Sequence, residues 1–221
     1  MSDAETAAGR QPATDPVSLA SPEIIAGVGG AGSPIGASEA SLDAVLVQAW
    51  QAGDRSAFER LYERHAERVW RYARYFSGND EAAGEIVQET FLRVLKYLKS
   101  FEGRAKFSTW LFTVVRSVAV SAATRMTREM ALTDGSVSTE VVSGALEPPE
   151  ILAATERRDA VRVAIARLPA PEREALLLYE IEGLSMQDAA EVLGWTTAKV
   201  KITVFRARRR LRDFLLPRES G

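Results

Sequence analysis

The chain has no cysteine, and His65 is the only histidine among its 221 residues. Disulfides, thiolate catalysis and cysteine-held zinc are excluded, and a lone imidazole has no second soft ligand with which to share a metal. His65 is expected as a surface or cap residue rather than a ligand or general base. No run approaches the roughly 20 apolar residues of a membrane span, and no basic start leads into an apolar core as in a signal peptide. Membrane insertion is therefore not expected, and a cytoplasmic location is. Paired carboxylates, a nucleophile with its base and a phosphate loop in a plausible context are also missing, so no enzyme and no cofactor are expected.

Net charge is scarce too, at −2, which taken alone argues against a nucleic-acid binder. The average conceals a pattern: residues 1–40 carry −4, 41–128 carry +4, 129–157 carry −5 and 158–221 carry +3. Two basic blocks thus stand apart, joined by an acidic connector and preceded by an acidic tail. The tail is rich in Ala, Gly, Ser and Pro and has no sustained apolar period. It cannot bury enough surface to offset its ordering entropy and reads as disordered.

The strongest local signal lies between Leu184 and Leu216. Ser185, followed three residues on by Asp188, is a capping arrangement for a short helix whose apolar face is Ala189, Ala190, Val192 and Leu193. Gly194 allows the left-handed backbone that ends it, and Thr196 or Thr197 can cap the next helix. In that second helix Val200, Val204, Ala207, Leu211 and Leu215 form a buried stripe. Lys199, Lys201, Arg206, Arg208, Arg209, Arg210 and Arg212 supply seven cations with no acid among them. This is a helix-turn-helix suited to DNA. The start of its second helix, with Thr196, Thr197, Lys199, Lys201, Ile202 and Thr203, would face base edges, and Arg206, Arg209 and Arg210 would mainly grip backbone. If four or five cations neutralise phosphates, log affinity falls with log salt at a slope of about −4.

The first basic block reads as four helices. Leu42, Val45, Leu46 and Ala49 mark the first, and Asp54 can cap a second running to Phe76, where Gly78 breaks it. Asn79 or Asp80 caps a third with its stripe at Ala83, Ile86, Val87, Thr90, Phe91, Val94, Leu95 and Leu98. The fourth turns Leu111, Val114, Val115, Val118 and Ala122 inward and Arg116, Arg125 and Arg128 outward. Four such helices can close a bundle. Most of its aromatics, Trp70, Tyr72, Tyr75, Phe76, Phe107, Trp110 and Phe112, are expected in the core, although such rings also stack on unpaired bases.

Three stretches in order carry a resemblance: GNDEAAGEIVQETFLRVL from Gly78, FEGRAKFSTWLFTVVRSVAV from Phe101 and LPAPEREALLLYEIEGLSMQDAAEVLGW from Leu168. Together they resemble the sigma-70 family of bacterial RNA polymerase sigma factors, in its two-domain extracytoplasmic-function group. The resemblance implies an all-α chain of two small helical domains. Region 2 would occupy 41–130 as a four-helix bundle, an acidic flexible linker 131–154, and region 4 155–217. It implies core RNA polymerase and promoter DNA as partners, with an anti-sigma factor as a further one. Glu85, Gln88, Glu89 and Phe91 would dock on polymerase. Lys106, Ser108, Thr109, Trp110, Arg116, Ser117 and Arg125 would hold the −10 element as single strand, and the helix-turn-helix would read the −35 element. The linker would thread the polymerase cleft.

The chain departs from the family pattern at four places. Gly84 stands where an acid is usual, Ser117 where Asn is, Ser121 where Asp is, and Ile202-Thr203 where Ser-Arg is. These put the docking charge and the promoter preference at both elements in question; Ile202 could meet a thymine methyl. Two alternatives remain at this point: an independent promoter-binding regulator whose first block only dimerises or binds a ligand, and a sigma-like decoy. The Gln88–Phe91 signature and the basic fourth helix have no place in a dimerisation bundle.

Overall fold

A computed structural model describes residues 37–132 and 149–215; the remainder of the expected tail and most of the acidic connector lie outside the described residues. Among the described residues all regular structure is helical. The first unit consists of α1 (Ala37–Gln51), α2 (Ser56–Ser77), α3 (Asp80–Tyr97) and α4 (Phe107–Leu132), with a short 3-10 turn at Leu98–Ser100. The second consists of α5 (Pro149–Ala166), α6 (Ala170–Leu176) running into a π-helical turn at Leu177–Ile181, α7 (Met186–Leu193) and α8 (Thr197–Leu215).

Local chemistry sets the boundaries. Asp54 Oδ1 accepts from the Ser56 N–H at 2.9 Å at the start of α2, and Asn79 Oδ1 accepts from the Ala82 N–H at 2.8 Å at the start of α3. Between them Gly78 adopts φ 82°, a conformation that costs a side-chain-bearing residue energy, and ends α2. The first core is built from Val69, Tyr72, Ala73, Ile86, Val94, Leu98, Leu111, Phe112 and Val115, and the second from Ile165, Leu176, Leu177, Leu178, Ile181, Val200, Ala207 and Leu211. Each such large apolar side chain contributes roughly 1.5–3 kcal/mol by leaving water.

Three expectations are corrected. His65 is buried: its Nε2 lies 2.9 Å from Asp43 Oδ2, and its ring meets Phe107 edge-on at 5.2 Å. A buried acid from α1 gives the imidazole the partner that a surface position would have found in water. That pairing also rotates α1, so Asp43, Leu46 and Val47 face inward while Leu42 and Val45 are exposed. The stretch Phe107–Arg128, with mean hydropathy 1.2, is in fact long and apolar enough to cross a membrane by length and composition. Its apolar face is used inside the bundle, where Leu111, Phe112, Val115 and Ala119 are fully buried.

The two units pack on each other. The N-terminal half of α4 lies against α7, and α2 lies against α5 and the π turn. The apolar core is continuous across the junction.

Candidate nucleic-acid and polymerase interface

The helix-turn-helix is built as its sequence dictates. Ser185 Oγ accepts from the Asp188 N–H at 3.0 Å and donates to the Asp188 carboxylate at 2.6 Å, which closes the cap of α7. Gly194, at φ 67°, turns the chain, and Thr196 Oγ1 accepts from the Lys199 N–H at 3.2 Å to start α8. Thr196 is therefore the cap, and Thr197 opens the helix.

α8 sorts its side chains by face. Val200, Val204, Ala207 and Leu211 are buried; Lys199, Lys201, Ile202, Arg206, Arg209, Arg210 and Arg212 are exposed. Thr203, expected at base edges, is only 9 % exposed, and its hydroxyl donates to the Lys199 carbonyl at 2.7 Å. It is corrected to the inner face, one position round from the solvent row. The seven cations also divide. Arg208 is paired with Glu180, and Arg210 Nε sits 2.9 Å from Glu172 Oε2. Lys199 Nζ stands 4.2 Å from the centre of the Trp195 ring. Lys201, Arg206, Arg209 and Arg212 make no ion pair among the described residues. Ile202 and Phe205 form an apolar pair on the same outer side, at 53 % and 67 % exposure.

The expected polymerase-docking residues fall into two environments. Glu85, Gln88 and Glu89 line an open groove of about 600 Å³ between α3 and α4, together with Leu92, Val118 and Arg125. Phe91 does not reach it. It is buried, with its ring 4.6 Å from Tyr62 in an edge contact, and so holds α3 to α2. Arg125, expected on the −10 face, pairs with Glu85 at 2.9 Å and belongs to this groove. Ser121 Oγ is turned back to the Ser117 carbonyl at 2.8 Å, and the Ser117 side chain is left at the exposed surface.

The remaining −10 candidates cluster at the start of α4, on the junction with the second unit. Lys106 Nζ contacts Asp188 Oδ2 at 2.8 Å, Thr109 Oγ1 donates to Asp188 Oδ1 at 3.1 Å, and Arg116 Nε donates to Glu174 Oε2 at 2.5 Å. Ser108 is buried, and Trp110 is partly buried against Phe101 and Phe107. Two cations escaped the sequence reading. Arg71 donates twice to the Glu182 carboxylate, both at 3.1 Å, and Arg68 donates to the Glu182 carbonyl at 2.8 Å. Nothing in the sequence flags them, because their partner lies in the other unit.

These acids are electrostatically unequal. Burial pushes the Glu182 carboxyl above the ordinary carboxylate range, and the guanidiniums of Arg71 and Arg68 only partly offset it. Asp188 is also raised by burial, but Lys106, Ser185 and Thr109 together hold it below its usual value. Burial pushes up the Tyr72 phenol, which lies fully enclosed beneath the junction.

Among the described residues, an all-α architecture with an open groove on one helical unit and a basic helix-turn-helix on the other has the make-up of a two-unit DNA-binding protein. The family model for Sigma-70 region 2 matches residues 61–129, and that for Sigma-70 region 4 matches residues 158–211. An ECF RNA polymerase sigma-E factor of Haemophilus influenzae is 30 % identical over 183 residues, covering 79 % of this chain and 96 % of that protein. The ECF sigma factor SigM of Mycobacterium tuberculosis is 32 % identical, covering 78 % and 84 %. Among solved structures, the sigma factor RpoE in complex with the anti-sigma factor NepR from Bartonella quintana superposes with a TM-score of 0.60 at 27 % identity, covering 72 % of this chain and 96 % of that one. The chain belongs to the sigma-70 family, in its extracytoplasmic-function group: it is a transcription-initiation factor that works with core RNA polymerase at promoter DNA.

Proposed function

We propose the following division of labour among its residues. The groove edged by Glu85, Gln88, Glu89 and Leu92 docks on core polymerase. Lys106, Thr109 and Arg116, with Ser108, Trp110 and Ser117 near them, take the −10 element as single strand. The outer row of α8, with Thr196, Thr197, Lys199, Lys201, Ile202, Arg206 and Arg209, reads the −35 duplex. Units 41–130 and 155–217 are the two grips, and the acidic connector occupies the polymerase channel until RNA displaces it. Two modest DNA contacts held on one polymerase gain from effective concentration, so neither unit needs to bind tightly by itself.

The observation that carries the reading is the row Lys201, Arg206 and Arg209 on α8, which has no ion-pair partner among the described residues while Arg208 and Arg210 are neutralised by acids of their own unit. A protein that used the whole helix for internal packing would have no reason to leave that row unpaired beside two exposed apolar residues. The factor acts in the cytoplasm on a specialised set of promoters. An anti-sigma factor restrains it, as the complex formed by the Bartonella relative suggests, and Ile202 and Phe205 offer that partner an apolar foothold.

Reconstitution with core polymerase followed by run-off transcription on genomic DNA tests the proposal. Holoenzyme and discrete transcripts are expected, and absence of both overturns it. Arg206→Ala should weaken promoters that depend on the −35 element while core binding stays intact; loss of core binding would contradict the assignment of α8.

A further inference from the structure

Gln51 closes α1 and reaches a segment far along the chain. Its side-chain amide donates to the Phe101 carbonyl at 2.8 Å and to the Leu98 carbonyl at 3.2 Å, with the Lys99 carbonyl at 3.5 Å. A glutamine amide has two N–H donors, so both are committed to this one stretch of backbone. Here the chain leaves the 3-10 turn after α3 and enters the loop that leads to α4. Gln51 is itself held from behind. Leu46 and Val47 are buried, the Trp50 ring packs on Phe58 at 5.5 Å, and the Asp54 N–H donates to the Ala49 carbonyl at 3.0 Å. The amide therefore works from a fixed helix end.

The loop beyond it has little else to hold it. Among the described residues no hydrogen bond ties residues 102–105 to another element, and the Arg104–Glu102 pair lies within the loop with both side chains exposed. Such a pair adds little rigidity. On the other side of the loop the Phe101 ring meets Trp110 at 5.1 Å and Phe107 at 6.2 Å. Loop and ring enclose a recess of about 220 Å³, lined by Phe101, Gly103, Arg104, Ala105 and Trp110 among others. An aromatic wall beside an arginine suits an unpaired base and its phosphate.

We infer that Gln51 is a positioning residue for strand capture: by holding the Phe101 and Leu98 carbonyls from α1, it fixes the loop 102–105 against Trp110 and keeps the recess shaped for one unpaired base. The inference rests on the −10 reading given above and adds to it a residue of the first helix, outside every position assigned to the strand. Gln51 acts through the loop, without contact to DNA. A loop already in its binding conformation is spared the ordering cost that a free one meets on taking up a ligand. The gain is confined to the step in which a base leaves the stack, so polymerase docking and duplex contact through α8 lie outside its reach.

Holoenzyme assembled from core polymerase and the full chain is titrated with fork DNA. The fork joins a duplex −35 element to a single-stranded −10 element, both from a promoter recovered by run-off transcription, and each −10 nucleotide is replaced in turn by an abasic one. The native factor should lose most affinity at one position, and that loss measures how well the recess holds its base. Two substitutions act on the tether. Gln51→Ala removes both donors, and Gln51→Glu keeps the shape but sets an anion against two carbonyl oxygens. Gln51→Ala should weaken the intact fork about fivefold, the size of one ordinary net hydrogen bond, and Gln51→Glu should weaken it further. Both should bind the fork abasic at that position as tightly as the native factor does, with core affinity, −35 duplex binding and thermal midpoint unchanged.

A residue that only holds the fold together would weaken intact and abasic forks alike and lower the thermal midpoint, and that outcome overturns the inference. Native discrimination retained in both variants overturns it as well and leaves the −10 reading standing. If the native holoenzyme loses no affinity at any abasic position, the −10 reading falls and the inference falls with it.

Discussion

Asp43 holds together three residues on two helices. It accepts from Arg64 Nε at 2.9 Å and faces His65 Nε2 at 2.9 Å, at 1 % exposure. Burial raises its carboxyl, but the His65 and Arg64 contacts outweigh that and hold it below its ordinary value of 3.8. Its ionised form therefore supports the fold above that value, and the support is lost as pH falls through the lowered one. Replacing one partner of a buried pair leaves the others uncompensated, so Asp43→Ala should cost about 3 kcal/mol at neutral pH, read by denaturant titration. The loss should shrink toward strong acid; a loss independent of pH would assign the effect to packing alone. Gly84 makes the opposite case. A Cβ built there meets nothing closer than the Trp70 ring at 3.9 Å, an ordinary contact, so no steric reason retains glycine. Gly84→Ala should stabilise α3 by up to about 1 kcal/mol, visible as a raised midpoint of thermal unfolding. His65 shows why single residues were the least legible scale. An isolated histidine reads as a surface group, and only the fold reveals the acid that lets it be buried.

At the scale of the element, α7 and α8 were legible almost residue by residue, because caps, glycine turn and apolar stripe are all written within a few positions of one another. What the pattern could not give was the sorting of the cations. Glu172 and Glu180 reach Arg210 and Arg208 from α6 and the π turn, which are far away in sequence. The same limit misphased α1, where Leu42 and Val45 looked inward by spacing but were displaced by a buried acid whose partners sit on α2. The sorting has a measurable consequence. With Arg208 and Arg210 engaged internally, the cations left for duplex phosphates still support a salt slope of about −4 for the holoenzyme's −35 contact. Arg209→Ala should reduce that slope by about one, whereas Arg210→Ala should leave it nearly unchanged. Equal effects of the two substitutions would mean that the Glu172 pair opens on DNA and offers no internal neutralisation.

At the scale of the whole molecule, the two helical units and their order were legible because each carries its own core and its own motif. Their mutual packing was not, since it is made by Lys106, Thr109 and Arg116, residues whose charge and position had already been explained by DNA. The packing brings a pH dependence with a definite sign. Glu182 faces Arg68 and Arg71, with the Tyr72 and Tyr75 phenols on the same helix and the Arg116–Glu174 pair beside Tyr72. Burial raises its carboxyl above the ordinary 4.5, so the closed chain binds this proton more tightly than an open chain with Glu182 in water. The cost of closing over the ionised group is full above the raised value, is relieved as pH falls through it and is gone below 4.5. Asp188 opposes this only at lower pH. Its carboxyl is held below the ordinary 3.8, so its support for closing is lost as pH falls further. Energy transfer between the units of a full chain labelled at Glu63→Cys on α2 and Glu191→Cys on α7, both exposed positions, should therefore rise as pH falls through the raised Glu182 value into the mildly acidic range and fall again in strong acid. Glu182→Gln mimics the protonated form and should abolish the mildly acidic rise while keeping transfer high at neutral pH, whereas Asp188→Asn should abolish the acid fall. A Glu182→Gln chain that retains the rise, or that stands open at neutral pH, would show that the enclosed glutamate closes the junction through its charge, against the direction that its burial sets.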